Sequence, residues 1–91
     1  LFKSVFLRCI ANLILNDEAY YNDWVYIQKS QSYRHLFFIR GLNYSLKNET
    51  KKALEEYEKV LKIEPNFFKD NDYLIVHVPE ELKAIFNLYS L

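Results

Sequence analysis

Residues 34–67, RHLFFIRGLNYSLKNETKKALEEYEKVLKIEPNF, hold two helical patterns separated by a polar turn, and their interpretation decides the fold. The second pattern is the cleaner. Ala53, Leu54, Tyr57, Val60 and Leu61 recur at helical spacing as one apolar stripe, while Lys51, Lys52, Glu55, Glu56, Glu58, Lys59 and Lys62 occupy the other side. Glu55–Lys59 and Glu58–Lys62 are well-oriented i, i+4 pairs that contribute only ~0.2–0.5 kcal/mol each, so this side is expected to be a solvated face. Asn48-Glu49-Thr50 supplies the turn, with Thr50 as the expected N-cap. Pro65 ends the helix, because its ring disfavours helix at Glu64 and it has no N–H to donate. Upstream, Ser32 is the expected cap of a helix that runs to about Lys47.

Phe37, Gly41 and Tyr44 in the first helix, with Ala53, Tyr57 and Pro65 in and after the second, resemble the pattern of the tetratricopeptide repeat at its own spacing. The residue types have a physical reason. Gly41 and Ala53 let two antiparallel helices approach, Phe37, Tyr44 and Tyr57 fill the wedge around that contact, and Pro65 sets the following turn. Arg40 departs from the family pattern, which has an apolar residue there, and so does Val60, where alanine is usual. The resemblance implies an all-α right-handed stack of antiparallel helical hairpins. It also implies that the first helix of the pair lines a groove, through His35, Phe38, Leu42 and Ser45. None of these four is the Lys, Asn or Arg with which chaperone-tail binders of the family hold a terminal carboxylate. The resemblance therefore suggests an apolar peptide or helix as ligand. The competing expectation is that Phe38 and Leu42 pack against the second or last helix of this same chain. Under the groove expectation, glutamate at both positions abolishes partner capture and leaves helicity intact.

Outward from this hairpin, residues 1–30 are expected to form a helical pair. The first helix spans roughly residues 2–15, with Lys3, Ser4, Arg8 and Asn12 close together on an otherwise apolar surface. Asn16 and Asp17 offer capping side chains to a second helix from about Glu18 to Gln28, whose face is Tyr20, Trp24 and Ile27. Tyr20, Trp24 and Ile27 precede Ala53, Tyr57 and Val60 by 33 residues, and Phe2, Phe6 and Cys9 precede Phe37, Gly41 and Tyr44 by 35. The unequal offsets and the large residues at both small positions describe a degenerate repeat. Residues 68–91 comprise a connecting segment and a C-terminal helix. Within them, Tyr73 to Val78 suits either an extended strand-like piece or a strained helical start. Pro79 at the first helical position, followed by Glu80 and Glu81, opens a helix with Leu82, Ile85, Phe86 and Tyr89 as its apolar face.

Composition bounds the function. The chain has 91 residues, 51% hydrophobic and 18% aromatic, a surplus that suggests surface completed by further repeats or another subunit. The absence of methionine fits a fragment of a longer chain. Lys+Arg and Asp+Glu both number 12, and this zero net charge argues against nucleic acid or an anionic membrane as main partner. The apolar start, broken by Lys3, Arg8 and Asn12, is too short for a membrane span. The one cysteine, Cys9, permits no internal disulfide and is expected to be a buried small hydrophobe, which favours an intracellular, cytoplasmic setting.

No catalytic constellation, metal set or cofactor motif stands in the sequence. His35 and His77 are isolated, and there is no cysteine pair, nucleophile elbow or glycine-rich phosphate loop. The expected function is non-enzymatic: a protein–protein interaction adaptor or scaffold segment. The alternatives are a structural segment buried in a larger assembly, or an organelle-surface adaptor. The last rests on Tyr44-Ser45-Leu46-Lys47, Lys52-Ala53-Leu54 and Glu64-Pro65, which look somewhat like the compact tetratricopeptide-like bundle of mitochondrial fission adaptors.

Overall fold

The short polar turns place successive helices side by side. The computed structural model describes residues 1–90, and it is all-α. Helix α1 spans Phe2–Ile14, α2 Tyr20–Ser30, α3 Tyr33–Leu46 and α4 Thr50–Ile63. They are followed by a single turn, α5 (Phe67–Asp70), a 3₁₀ segment Asp72–His77, α6 (Glu80–Ile85) and a closing 3₁₀ turn Leu88–Ser90. The closest pairings are α3 with α4 and α1 with α2, the two antiparallel hairpins, and α3 also meets α1 and α2. Tyr73–Val78 is therefore not a strand. Pro79 sits at the N-cap of α6 rather than inside it, and Ile85 and Tyr89 are exposed while Leu82 and Leu88 are buried. The expected apolar face ends early because α6 stops at Ile85 and Asn87 adopts a left-handed conformation (φ 56°).

Several expected caps move by a residue or two. Asn16, Gln31 and Asn48 take positive φ just after α1, α2 and α3 and reverse the chain. The Asp17 carboxylate accepts the Ala19 N–H at 2.9 Å, so α2 begins at Tyr20 rather than Glu18. Ser32 does precede α3, but its hydroxyl bonds His35 Nδ1 at 2.6 Å instead of a backbone N–H. Glu49, not Thr50, holds the N-cap position of α4.

The α3–α4 contact leaves no room for a side chain at position 41. A methyl group at Gly41 would lie 2.5 Å from Tyr57 Cε1 and 2.8 Å from Cδ1, so the Tyr57 ring rests directly on the α3 backbone. Ser45 Oγ donates to the Gly41 carbonyl at 2.9 Å and lies 3.3 Å from the Tyr57 hydroxyl. That phenol is fully buried, and burial pushes its pKa up to about 12, partly offset by the Ser45 bond.

Behind this contact lies an aromatic core. The Phe38 ring centroid is 6.0 Å from Phe6, 5.6 Å from Tyr57, 5.8 Å from Phe67 and 6.1 Å from Phe68. Phe67 and Phe68 follow Pro65, and the turn it sets folds α5 back over α3 so that both rings are fully buried. Pairs at such separations each add ~0.5–1.5 kcal/mol to the area they bury. Cys9 is fully buried in α1, and burial, with the nearby Asp23 charge, pushes its thiol up to about 12.

His35 is held edge-on between Phe2, Phe6 and Phe67 at 4.9, 4.7 and 5.7 Å. Burial first, and the Arg34 charge second, lower its pKa from 6.5 to about 4.

Two outcomes follow from this packing. Gly41→Ala improves helix propensity but drives a methyl group into an immobile ring, so a net loss of ~1–3 kcal/mol is expected by urea unfolding. Adding Tyr57→Leu to that variant should recover part of the loss. For His35, the unfolded chain binds a proton that the folded chain refuses between pH 6.5 and about 4. Its contribution is complete above pH 6.5 and falls away as pH drops towards 4. The urea midpoint of the wild type should therefore fall more steeply over that window than that of His35→Gln.

Candidate functional site

The four residues expected to line a groove do not form an open surface. Phe38 and Leu42 are 0% and 1% exposed. His35 and Ser45 are only half-buried, but each is committed within the chain, His35 to the Phe2, Phe6 and Phe67 rings and to Ser32, Ser45 to Gly41 and Tyr57. The groove expectation is corrected at this point. The place where a ligand would lie is filled by Phe6 of α1 and by Phe67 and Phe68 of α5. Glutamate at Phe38 and Leu42 would bury two carboxylates in an aromatic core and unfold the hairpin, so helicity would not survive it. The repeat-pattern residues divide differently. Gly41, Ala53 and Tyr57 are buried, Phe37 and Tyr44 are half-buried, and Pro65 is exposed at the turn.

The open concavity lies on another side of α3. Three adjoining depressions, about 160, 300 and 270 Å³, run along α3, the first and third against α2 and the second between the C-terminal ends of α1 and α3 beside Tyr20, and share Trp24, Tyr20, Leu13, Asn43 and Arg40 among their walls. Together they make one groove. Tyr20, Tyr21 and Trp24 form the α2 wall, Phe37, Arg40, Asn43 and Lys47 the α3 wall, and Leu13 and Ile39 contribute to the floor. Tyr20, Trp24 and Phe37 are half-buried and Tyr21 is exposed, so the aromatic wall is seated in the core yet open to a ligand.

Two ion pairs hold the walls in place. Within the first hairpin the Arg8 guanidinium donates to both Asp23 oxygens, from Nε at 2.9 Å and Nη2 at 2.7 Å. Asp23 is buried on the α2 turn that carries Trp24, so this fork fixes the rotation of the aromatic wall. On the other side, the charged face of α4 is not wholly solvated. Glu56 is buried, and its carboxylate meets Arg40 Nη2 at 3.0 Å and Lys59 Nζ at 3.3 Å. Lys59 thus pairs at i, i+3 with Glu56 and not with Glu55 as the spacing predicts. Both cations also lie over the Phe37 ring, at 6.0 Å for Arg40 and 5.3 Å for Lys59. Arg40, the departure from the repeat pattern, is therefore the residue that ties α3 to Glu56 of α4 and brings a guanidinium to the groove.

Sequence reasoning missed this site because it assigned Arg40 and Glu56 to separate helices without a reason to join them. The usable signal was the charge at Arg40 where an apolar residue is expected, with a polar Asn43 at i+3 and a second cation, Lys47, at i+7.

Among the described residues, no group of three or more His, Cys, Asp or Glu converges to hold a metal ion, and no helix is long and apolar enough to cross a membrane. Compared with protein families, with curated proteins and with solved structures, the chain finds no match.

The Arg40–Glu56 link makes a measurable prediction. Arg40→Ala leaves a buried carboxylate with only Lys59 and should cost ~1–3 kcal/mol. Glu56→Gln should cost less in the Arg40→Ala background than in the wild type. A double-mutant cycle in urea that returns additive losses would refute the coupling.

Proposed function

We propose that this chain is a protein–protein interaction segment of adaptor or scaffold type, and that its docking surface is the α2/α3 groove rather than the Phe38 side of α3. The observation that carries this is the aromatic wall. Tyr20, Tyr21 and Trp24 stand along one edge of a groove whose other edge sets Arg40, Asn43 and Lys47 among apolar residues, and half-buried aromatics beside partly open polar groups are the composition of peptide-binding surfaces. The resemblance of residues 34–67 to a tetratricopeptide hairpin supports the same class of function. On this reading the two hairpins are consecutive units of a right-handed helical stack, with α1–α2 the degenerate one. The partner is a peptide or extended segment of another protein, and the chemistry is binding, with no catalytic step and no cofactor.

A second reading has its own support. Leu7 is exposed on α1, with Leu15 just beyond its end, which suits a face covered by another hairpin of the same kind. In that case the chain is a structural segment of a larger assembly, and it should self-associate when isolated.

The test uses the single tryptophan, which lies in the groove. Peptides selected from a random library on the folded chain should shift Trp24 emission. They should bind at least ~10-fold more weakly to a Tyr21→Ala, Asn43→Ala variant and unchanged to Ile63→Ala, away from the groove. Selected peptides indifferent to both groove substitutions would overturn the docking surface. A defined oligomer with no selectable peptide would favour the structural reading.

A further inference from the structure

The groove carries a charge pattern that specifies its ligand more narrowly, an inference that rests on the interaction reading above. Arg40, Asn43 and Lys47 follow one another at i, i+3 and i+7 along the groove side of α3. Asp and Glu number 12 in this electrically neutral chain, yet none lines any of the three depressions. Glu56 stands behind Arg40, but it also meets Lys59, so one carboxylate faces two cations and local positive charge is left over. Arg40 uses Nη2 on Glu56 and keeps donors on its other nitrogens. Lys47 is exposed and forms no ion pair among the described residues, and the Asn43 amide makes no side-chain hydrogen bond there.

We infer that the groove takes an acidic peptide in extended conformation, with its carboxylates on Arg40 and Lys47 and its apolar side chains on Tyr20 and Trp24. Seven helical residues separate the two cations by about 10 Å along α3. Alternate residues of an extended chain are about 7 Å apart on one side, and the next of that side is about 13 Å away. Flexible arginine and lysine ends span either spacing. The intervening residues of such a peptide point the other way, towards the aromatic wall of α2, so alternating acidic and apolar residues match the two walls. Asn43, midway, can donate to the C=O and accept from the N–H of one extended ligand residue. A single-stranded nucleic acid would also find rings and cations here. It needs cationic contacts along its whole phosphate chain, and two cations in a chain of zero net charge do not supply them.

The experiment compares blocked peptides of about eight residues that alternate Leu with Glu, Gln or Lys, and a short oligo(dT), by titrating Trp24 emission of the whole chain. The Glu peptide should bind at least ~10-fold more tightly than the Gln peptide and the Lys peptide most weakly, with the gap closing as salt is raised. Lys47→Gln, which disturbs no ion pair, should reduce the Glu–Gln difference ~3-fold or more. Equal binding of the Glu and Gln peptides would overturn the acidic preference while leaving the docking surface standing. Oligo(dT) binding more tightly than the Glu peptide would overturn the choice of a peptide ligand. If neither these peptides nor library-selected ones move Trp24 emission, the interaction reading fails with it.

Discussion

The packing of the Tyr57 ring onto Gly41 sets the distance between α3 and α4, and much of the structure depends on that distance. Any β-carbon at Gly41 would overlap ring atoms that are themselves fully buried. Close approach of the helices brings Glu56 of α4 within 3.0 Å of Arg40, the residue before the glycine. It also presents the Tyr57 ring to Phe38, which carries the packing on to Phe6, Phe67 and Phe68. One missing side chain thus fixes a hydrogen-bonded cluster with Ser45, an ion pair and an aromatic core.

Filling that core closes one face of α3 and leaves another open. Phe6 approaches from α1, and Phe67 and Phe68 arrive from the turn after Pro65, so the surface that a longer helical stack would expose is internal here. The α2 side cannot close in the same way. The Arg8–Asp23 fork fixes α2 against α1, and the half-buried rings of Tyr20 and Trp24 line the depression that they share with Asn43. The groove is a consequence of these bulky, firmly held groups, and its polarity comes from the residues that α3 has left to present.

Charge placement follows the same logic. Formal neutrality excludes a broad electrostatic surface, yet it does not prevent segregation over a few residues. Asp23 and Glu56 are each drawn into buried pairs away from the groove mouth, whereas Lys47 is left in solvent. The result is a short cationic edge opposite an aromatic one.

The sequence by itself determined the first four helices and the turns between them. The 3.6-residue spacing of Ala53, Leu54, Tyr57, Val60 and Leu61, the polar breaks at residues 16–17, 30–32 and 48–50, and Pro65 each act locally, within a turn or two of chain. Gly41 was legible as a close-approach position for the same reason, and Cys9 as a buried residue. Which side of α3 faces solvent was decided only by the tertiary structure. Phe38 and Leu42 suit a groove or a core equally well, and the choice fell to Phe6, Phe67 and Phe68, whose positions depend on how separate elements pack. Glu56 likewise reads as one more charge on a solvated face until Arg40 is brought beside it from another helix. Local spacing specifies which face of a helix is apolar, but what covers that face depends on contacts between residues distant in sequence, and here those contacts moved the candidate site from the α1 side of α3 to the α2 side.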